Sequence, residues 1–464
     1  MVHVSRHPAR RRFLQQFASI SALAGTPFAA NLAMMGAASA QTHGDYKALV
    51  CVFLFGGNDH ANLIVPRSGS AYTDYFNARP SLALSQASLR AINPVGYTGG
   101  ALGLHPAMSN VQSMINGGRC AVVANVGTLV TPTSFTQWND GEPTVAVPPQ
   151  LFSHADQQNQ WQTGLPDRGS ATGWMGRMGD VTAPLYNPNS GVSICMSIGG
   201  NNMIQAGEDT IQYQITNQGA IAVQGLAPSS SGLYGSKMSQ QALRRLLTDS
   251  RAGMMEAEWA RIGKRSVDTE SIVTNALAAA PLVTTTFPGS GIGNQLRMVA
   301  RMIAAGGQLS QRRQVFFVSQ GGYDFHDNLV QEQNERLGEL DAALGAFNTA
   351  MNALGTQNFV TTFTASDFGR ALRHNGRGSD HGWGGHQFVF GGAVQGNRMF
   401  GTFPTIAFGT DTDVGNGRLL PTTSVDEFAV TLARWFGVTD TLALDTILPN
   451  RNRFMMGTQG MGFL

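Results

Sequence analysis

Five short apolar runs set the rhythm of the chain: ALVCVFLF (48–55), CAVVANV (120–126), VSICMSI (192–198), VFFVS (315–319) and FVTTFT (359–364). None shows the alternation of a half-exposed strand. Continuous β-branched and aromatic character of this length predicts strands buried on both faces, as in a parallel sheet covered by helices. Between the last two runs, Leu337, Leu340, Leu344, Phe347, Met351 and Leu354 recur every three or four residues, which predicts an amphipathic helix crossing over the sheet. Residues 238–262 and the stretch NQLRMVARMIAAG (294–306) predict further helices. The turn-rich GLAPSSSGLYGS (225–236) reads as a surface loop or as the junction to a helical insertion near 236–290. The fold class expected is α/β, a mainly parallel central sheet flanked by helices.

Composition agrees with a packed domain. A chain of 464 residues, 42% hydrophobic and only 13% charged, can bury a large core. The formal charge is +2, but Arg6, Arg10, Arg11 and Arg12 lie in an N-terminal stretch that contains no acid, so the remainder carries −2. Without a basic cluster, nucleic acid is excluded as the expected partner.

That N-terminal stretch has its own pattern. ARRRFLQQ sets paired arginines before Phe13 and Leu14, an Ala- and Leu-rich segment follows, and ASA closes it at 38–40. These features predict a twin-arginine export signal over 1–40, cleaved after Ala40, ahead of a single domain over 41–464. The expected location is periplasmic or secreted, with no membrane span in the mature chain. Cys51, Cys120 and Cys195 each sit within an apolar run, so buried free thiols are expected rather than a disulfide framework.

In an open parallel sheet, ligands bind beyond the carboxyl ends of the strands. The first run ends in GGNDH, carrying Asp59 and His60, and the fourth in GGYDFHDN, carrying Asp324 and His326. The fifth ends in ASDFGR, with Asp367 and Arg370, and the loop GSDHGWGGH then presents Asp380, His381 and His386. A lone Asp after Gly is an ordinary turn residue. Acids and imidazoles recurring after several strands instead predict one shared site, with ligands suited to zinc, manganese, iron or calcium.

The ordered set FLFGGNDHANLIVP, LGLHPAM, LFSHADQQ, GWMGRM, GGYDFHDN, SDFGRALRHNGRGSDHGWGG and FGGAVQGNRMFGTFP resembles the exported bacterial family known as domain of unknown function 1501. That family resembles in turn the alkaline phosphatase and sulfatase superfamily, whose parallel sheet carries one or two metals at the strand ends. The segment TTSVDEFAVTLARWFGV (422–438) is similar to the tail of sulfatases, where an Asp opens a helix behind the site.

The resemblance implies metal ligation by Asp59, Asp324, His326, Asp367, Asp380 and His381, with divalent ions as cofactor. Phe368 stands where the superfamily has a histidine, which weakens one metal position. Ser153 and His154 stand near the superfamily's nucleophile, and no CxPxR sequence supports a formylglycine sulfatase. Ser153, at the start of a helix, is also a natural N-cap. Arg370 is expected to hold an anionic group. Two functions follow as expectations: a metal-dependent hydrolase of phosphate, phosphonate or sulfate esters acting on a small anionic ester or envelope glycan, or a non-catalytic envelope binding or assembly protein that keeps the fold.

Overall fold

The computed structural model describes residues 45–138, 141–226 and 231–464, so the export signal expected over 1–40 lies outside the described residues. From Lys47 to Leu464 the chain forms one compact unit. Its centre is a ten-stranded sheet. The Lys47–Leu54 strand lies in the middle, parallel to Val360–Ser366 on one side and to Arg313–Gln320 on the other. Cys195–Ser197 continues the parallel order beyond Arg313–Gln320.

All eight residues of KALVCVFL except the first are buried, and so are all seven of VTTFTAS. Layers cover both faces, which is why KALVCVFL reads as an almost unbroken apolar run and why even the Thr and Ser of VTTFTAS are buried. One core cluster joins Leu49, Cys51, Phe53, Val315, Phe317 and Phe363 to Phe428, Leu432 and Phe436 of the Val425–Phe436 helix. A capping box starts that helix: the Ser424 side chain accepts from the Glu427 amide, and the Glu427 carboxylate accepts from the Ser424 amide. The three cysteines are free and buried.

Two features differ from the expectation. Gly385–Phe390 enters the sheet antiparallel, between Val360–Ser366 and Cys120–Gly127. Its polar His386 and Gln387 interrupt the apolar pattern, and Gln387 is instead satisfied in the sheet, where its Oε1 accepts from Thr364 Oγ1 at 2.9 Å. The stretch read as a helix over 238–262 is two helices, Lys237–Thr248 and Met254–Ala279, broken at Asp249 and Gly253. The crossover helix spans Leu329–Ala353 and buries Leu337, Leu340, Leu344, Phe347 and Met351. Among the described residues, no helix is long and apolar enough to cross a membrane.

Strand register positions the site. Leu54 pairs with Ser366 on one side and Gln320 on the other, so the three chains leave the sheet level with one another. Since a one-residue slip would turn every side chain to the opposite face, burial on both sides holds this alignment.

Candidate metal and acid–base site

Close backbone approach brings the loops after these three strands together. Gly56 has φ +117°, and a Cβ there would lie 2.4 Å from the Asp324 amide nitrogen. Gly57 has φ +84°, and its Cβ would lie 2.3 Å from the Phe368 ring. Only glycine supplies both the conformation and the space. Ser366 ties the loops further, with its Oγ donating to Leu54 O at 2.7 Å and accepting from the Asn58 amide at 2.9 Å.

One oxygen organises the site. Asp324 Oδ1 lies 3.0 Å from His326 Nε2, 3.3 Å from His381 Nε2 and 3.4 Å from His154 Nε2. The Arg370 Nη1 donates to it at 2.8 Å. His326 Nε2 and His381 Nε2 are themselves 3.1 Å apart. One ligand atom each from His154, Asp324 and His381 falls within a sphere of contact in which no pair is more than 4.8 Å apart.

The far nitrogens of two of these rings are already engaged. His154 Nδ1 lies 2.7 Å from Asp367 Oδ2, and His381 Nδ1 lies 2.7 Å from Phe152 O. Carboxylate and carbonyl oxygens only accept, so in the neutral rings each Nδ1 carries the hydrogen and each Nε2 presents a lone pair towards Asp324. Asp367 is in turn held by the Gly56 amide at 3.2 Å and Gln158 Nε2 at 2.7 Å. Phe152 turns its carbonyl to His381 from a left-handed backbone, φ +69°, an unfavourable conformation for a bulky residue. Its ring lies 4.4 Å beneath the Arg418 guanidinium, whose Nε donates to His381 O at 2.9 Å. The Phe368 ring packs against both imidazoles, 4.8 Å from His154 and 4.7 Å from His381.

These surroundings separate the protonation behaviour of the two rings. The hydrogen bond that His154 donates to Asp367 pushes its pKa up, partly opposed by burial and reinforced by the charges of Asp367 and Asp324. Burial pulls that of His381 down, although the Phe152 carbonyl works the other way. Burial favours a neutral Asp324, but the Arg370 hydrogen bond and charge outweigh it and hold the carboxyl below its usual range. Neighbouring groups with pKa values driven apart are what acid–base chemistry requires.

Other residues singled out in the sequence lie differently. Asp59 forms a fully buried ion pair with Arg79, 2.8 Å from Nη1. His60, His105 and His386 are buried too; burial and then the Arg79 charge bring His60 down to about 3, and burial brings His105 down to about 4. The His386 ring stacks on Phe403 at 4.7 Å and sits 5.5 Å from His60 rather than beside His381. Arg370, expected to hold an anionic group, is instead completely buried, its Nη1 donating to Asp324 and Gly56 O and its Nη2 to Ser379 O. Ser153 precedes the His154–Thr163 helix without a capping bond, and its Oγ donates to Asp156 Oδ2 at 2.6 Å. Asp380 is largely exposed at the rim, 3.6 Å from His326 Nδ1.

Three contributors were not among the candidate site residues, although Phe152 and Gln158 lie within LFSHADQQ. Arg79 follows a short surface helix in the ordinary sequence NARPS, Gln158 lies one turn along its helix, and Phe152 acts through its main chain. A paired arginine for the buried Asp59 could have been sought on charge grounds, but nothing local marks Arg79 as that partner.

Sheet, flanking helices and strand-end site define an α/β protein built on a mostly parallel central sheet. The chain belongs to the family described as "Protein of unknown function (DUF1501)", whose model matches residues 46–445. No curated protein matches it in sequence. Among solved structures it is similar to the PsFucS1 sulfatase from Pseudoalteromonas sp., at 11% identity and TM-score 0.36 over 94% of this chain and 73% of that one. It is also similar to the lipoteichoic acid synthase LtaP from Listeria monocytogenes, at 7% identity and TM-score 0.35 over 88% and 77%. For the phosphonate monoester hydrolase of Agrobacterium radiobacter the values are 9%, 0.35, 84% and 74%.

Proposed function

We propose that this protein is a hydrolase of phosphate, phosphonate or sulfate esters that depends on a divalent metal ion and works in the cell envelope after twin-arginine export. One observation carries the reading: three imidazole Nε2 atoms lie 3.0–3.4 Å from a single carboxylate oxygen, two of them with Nδ1 committed elsewhere. Ligands about 2.0–2.2 Å from one ion in a tetrahedron stand roughly 3.3–3.6 Å from each other, close to that spacing. His381 Nε2, with Nδ1 committed to Phe152 O, turns a lone pair to His326 Nε2 at 3.1 Å, a contact that a hydrogen on His326 Nε2 or a cation between the rings satisfies.

In this reading Asp324, His326 and His381 hold the ion. When bound, a zinc, manganese, calcium or iron ion supplies Lewis-acid stabilisation of charge on the ester oxygens. His154 does the proton work: Asp367 fixes its ring and tautomer, leaving Nε2 to take a proton from an attacking water or return one to the leaving oxygen. Arg370 positions Asp324 rather than contacting substrate. Asp59 is neutralised by Arg79, so one ion per chain is expected, not two.

The test is metal content by mass spectrometry together with hydrolysis of p-nitrophenyl phosphate, phenylphosphonate and sulfate. The reading predicts about one equivalent of metal, lost in His381→Ala, and His154→Asn with metal retained but turnover reduced by about 10²–10⁴. Less than a tenth of an equivalent after loading, in a folded protein, would overturn it. The contact of Phe368 with both imidazoles favours a second reading, a binding or assembly protein that keeps a structural metal. It is supported if His381→Ala abolishes a cellular phenotype that His154→Asn leaves intact.

A further inference from the structure

Far from the strand-end loops in sequence, the helices Lys237–Thr248 and Met254–Ala279 carry apolar side chains that no other described residue covers. Lys237–Thr248 buries no residue. Its outward face presents Met238 and Leu246, 80% and 59% exposed, and the second helix continues with Met254, Met255 and Trp259 at 87%, 84% and 65%. Met255, Trp259 and Ile262 stand at the spacing that aligns residues along one helical face, and Ile262 is exposed as well. The connecting residues 249–253 are all exposed, and Met254, Met255 and Trp259 follow directly on them, while Ile262 and Arg265 also border a cleft shared with Ser193, Thr210 and Tyr213.

Charge identifies the partner. Between 237 and 265 there are seven basic and three acidic residues, against a chain outside the export signal that is slightly acidic. Arg261 is matched internally by Glu258 and Lys264 by Asp268. Lys237, Arg244, Arg245, Arg251 and Arg265 form no ion pair with another described residue. A second copy docking through the same face would set this surplus against itself. Exposed Met, Leu and Trp flanked by unmatched Arg and Lys instead suit the headgroup region of an anionic bilayer, where the rings and aliphatic chains enter the interface and the cations meet lipid phosphates.

We propose that the 237–265 hairpin docks the protein on anionic lipid surfaces. The proposal does not depend on the hydrolase reading, since it concerns neither metal nor turnover. Trp259 provides a reporter: Trp138, Trp161, Trp174 and Trp383 are buried and Trp435 is partly buried. The full chain is mixed with phosphatidylcholine vesicles with or without phosphatidylglycerol, and co-sedimentation and tryptophan emission are recorded. Binding and a blue shift are expected only with phosphatidylglycerol. Raising salt weakens binding, and Arg244→Gln with Arg245→Gln lowers the partition coefficient about 30-fold. Trp259→Phe binds but loses the blue shift. The positions are exposed, and unchanged thermal unfolding of each variant shows that the fold is retained. Absence of binding, equal binding to both vesicle types, or binding unaffected by the arginine substitutions would overturn the proposal. So would a stable dimer that Trp259→Lys dissociates, because the face would then belong to a second copy.

Discussion

Replacing Arg79 by Met isolates a fully buried ion pair. Asp59 and Arg79 are each 0% exposed, with 2.8 Å between Oδ1 and Nη1. At an effective dielectric constant of about 20, unit charges about 3–4 Å apart attract by about 4–6 kcal/mol, most of which offsets the desolvation of both groups. The variant keeps the desolvation of Asp59 and loses the compensation, leaving a buried carboxylate whose Oδ2 already lacks a partner among the described residues. The expected loss is about 3–5 kcal/mol. For a domain of this size that corresponds to a fall in unfolding midpoint of about 3–6 °C. Replacing both residues, Arg79→Met with Asp59→Leu, restores most of the loss because no unpaired charge remains. Chemical denaturation of the wild type, both single variants and the double variant measures the coupling. A loss below about 1 kcal/mol in Arg79→Met, or a double variant as unstable as the two singles summed, refutes the ion-pair account. Uptake of a second metal by Arg79→Met would show that the guanidinium had been standing in for a cation.

Asp367→Asn removes the acceptor that raises the His154 pKa, so the His154 resonance titrates at lower pH in the variant by NMR. The His154 contribution to stability is complete below its unfolded pKa of about 6.5 and is lost as pH rises through the raised folded value, a slope that Asp367→Asn reduces. Burial raises the Asp426 pKa to about 7, so its contribution is complete below about pH 4 and lost as pH rises through 7; in calorimetry Asp426→Asn is expected to retain stability above that pH better than the wild type. Gly57→Ala forces a Cβ to within 2.3 Å of the Phe368 ring at φ +84°, and equilibrium unfolding should register a loss of at least about 1 kcal/mol.

Much of the frame could be read from local pattern because burial on both sides of a sheet imposes an unbroken apolar run. The strands Lys47–Leu54, Arg313–Gln320 and Val360–Ser366 announced themselves in this way, as did the periodic face of Leu329–Ala353. Asp324, His326, His381, Asp367 and His154 were legible as candidates because each follows a strand-end or helix-start signal. Gly385–Phe390 was not, since its polar residues obtain their partners only within the assembled sheet.

Chemistry at the strand ends was divided by tertiary structure. Asp59 and Asp324 follow similar GG-containing turns, yet one is enclosed with Arg79 and the other is surrounded by imidazoles and Arg370. Sequence determined that carboxylates would leave the sheet at one edge, because a side chain's presence after an apolar run is a local property. Which cation each one meets depends on desolvation and on groups brought from distant positions: Arg79 lies 20 residues from Asp59, and His154 lies 213 from Asp367. Neither property is encoded in any short stretch, since electrostatic energy depends on distance in space and on the exclusion of water, and both exist only once the chain has packed.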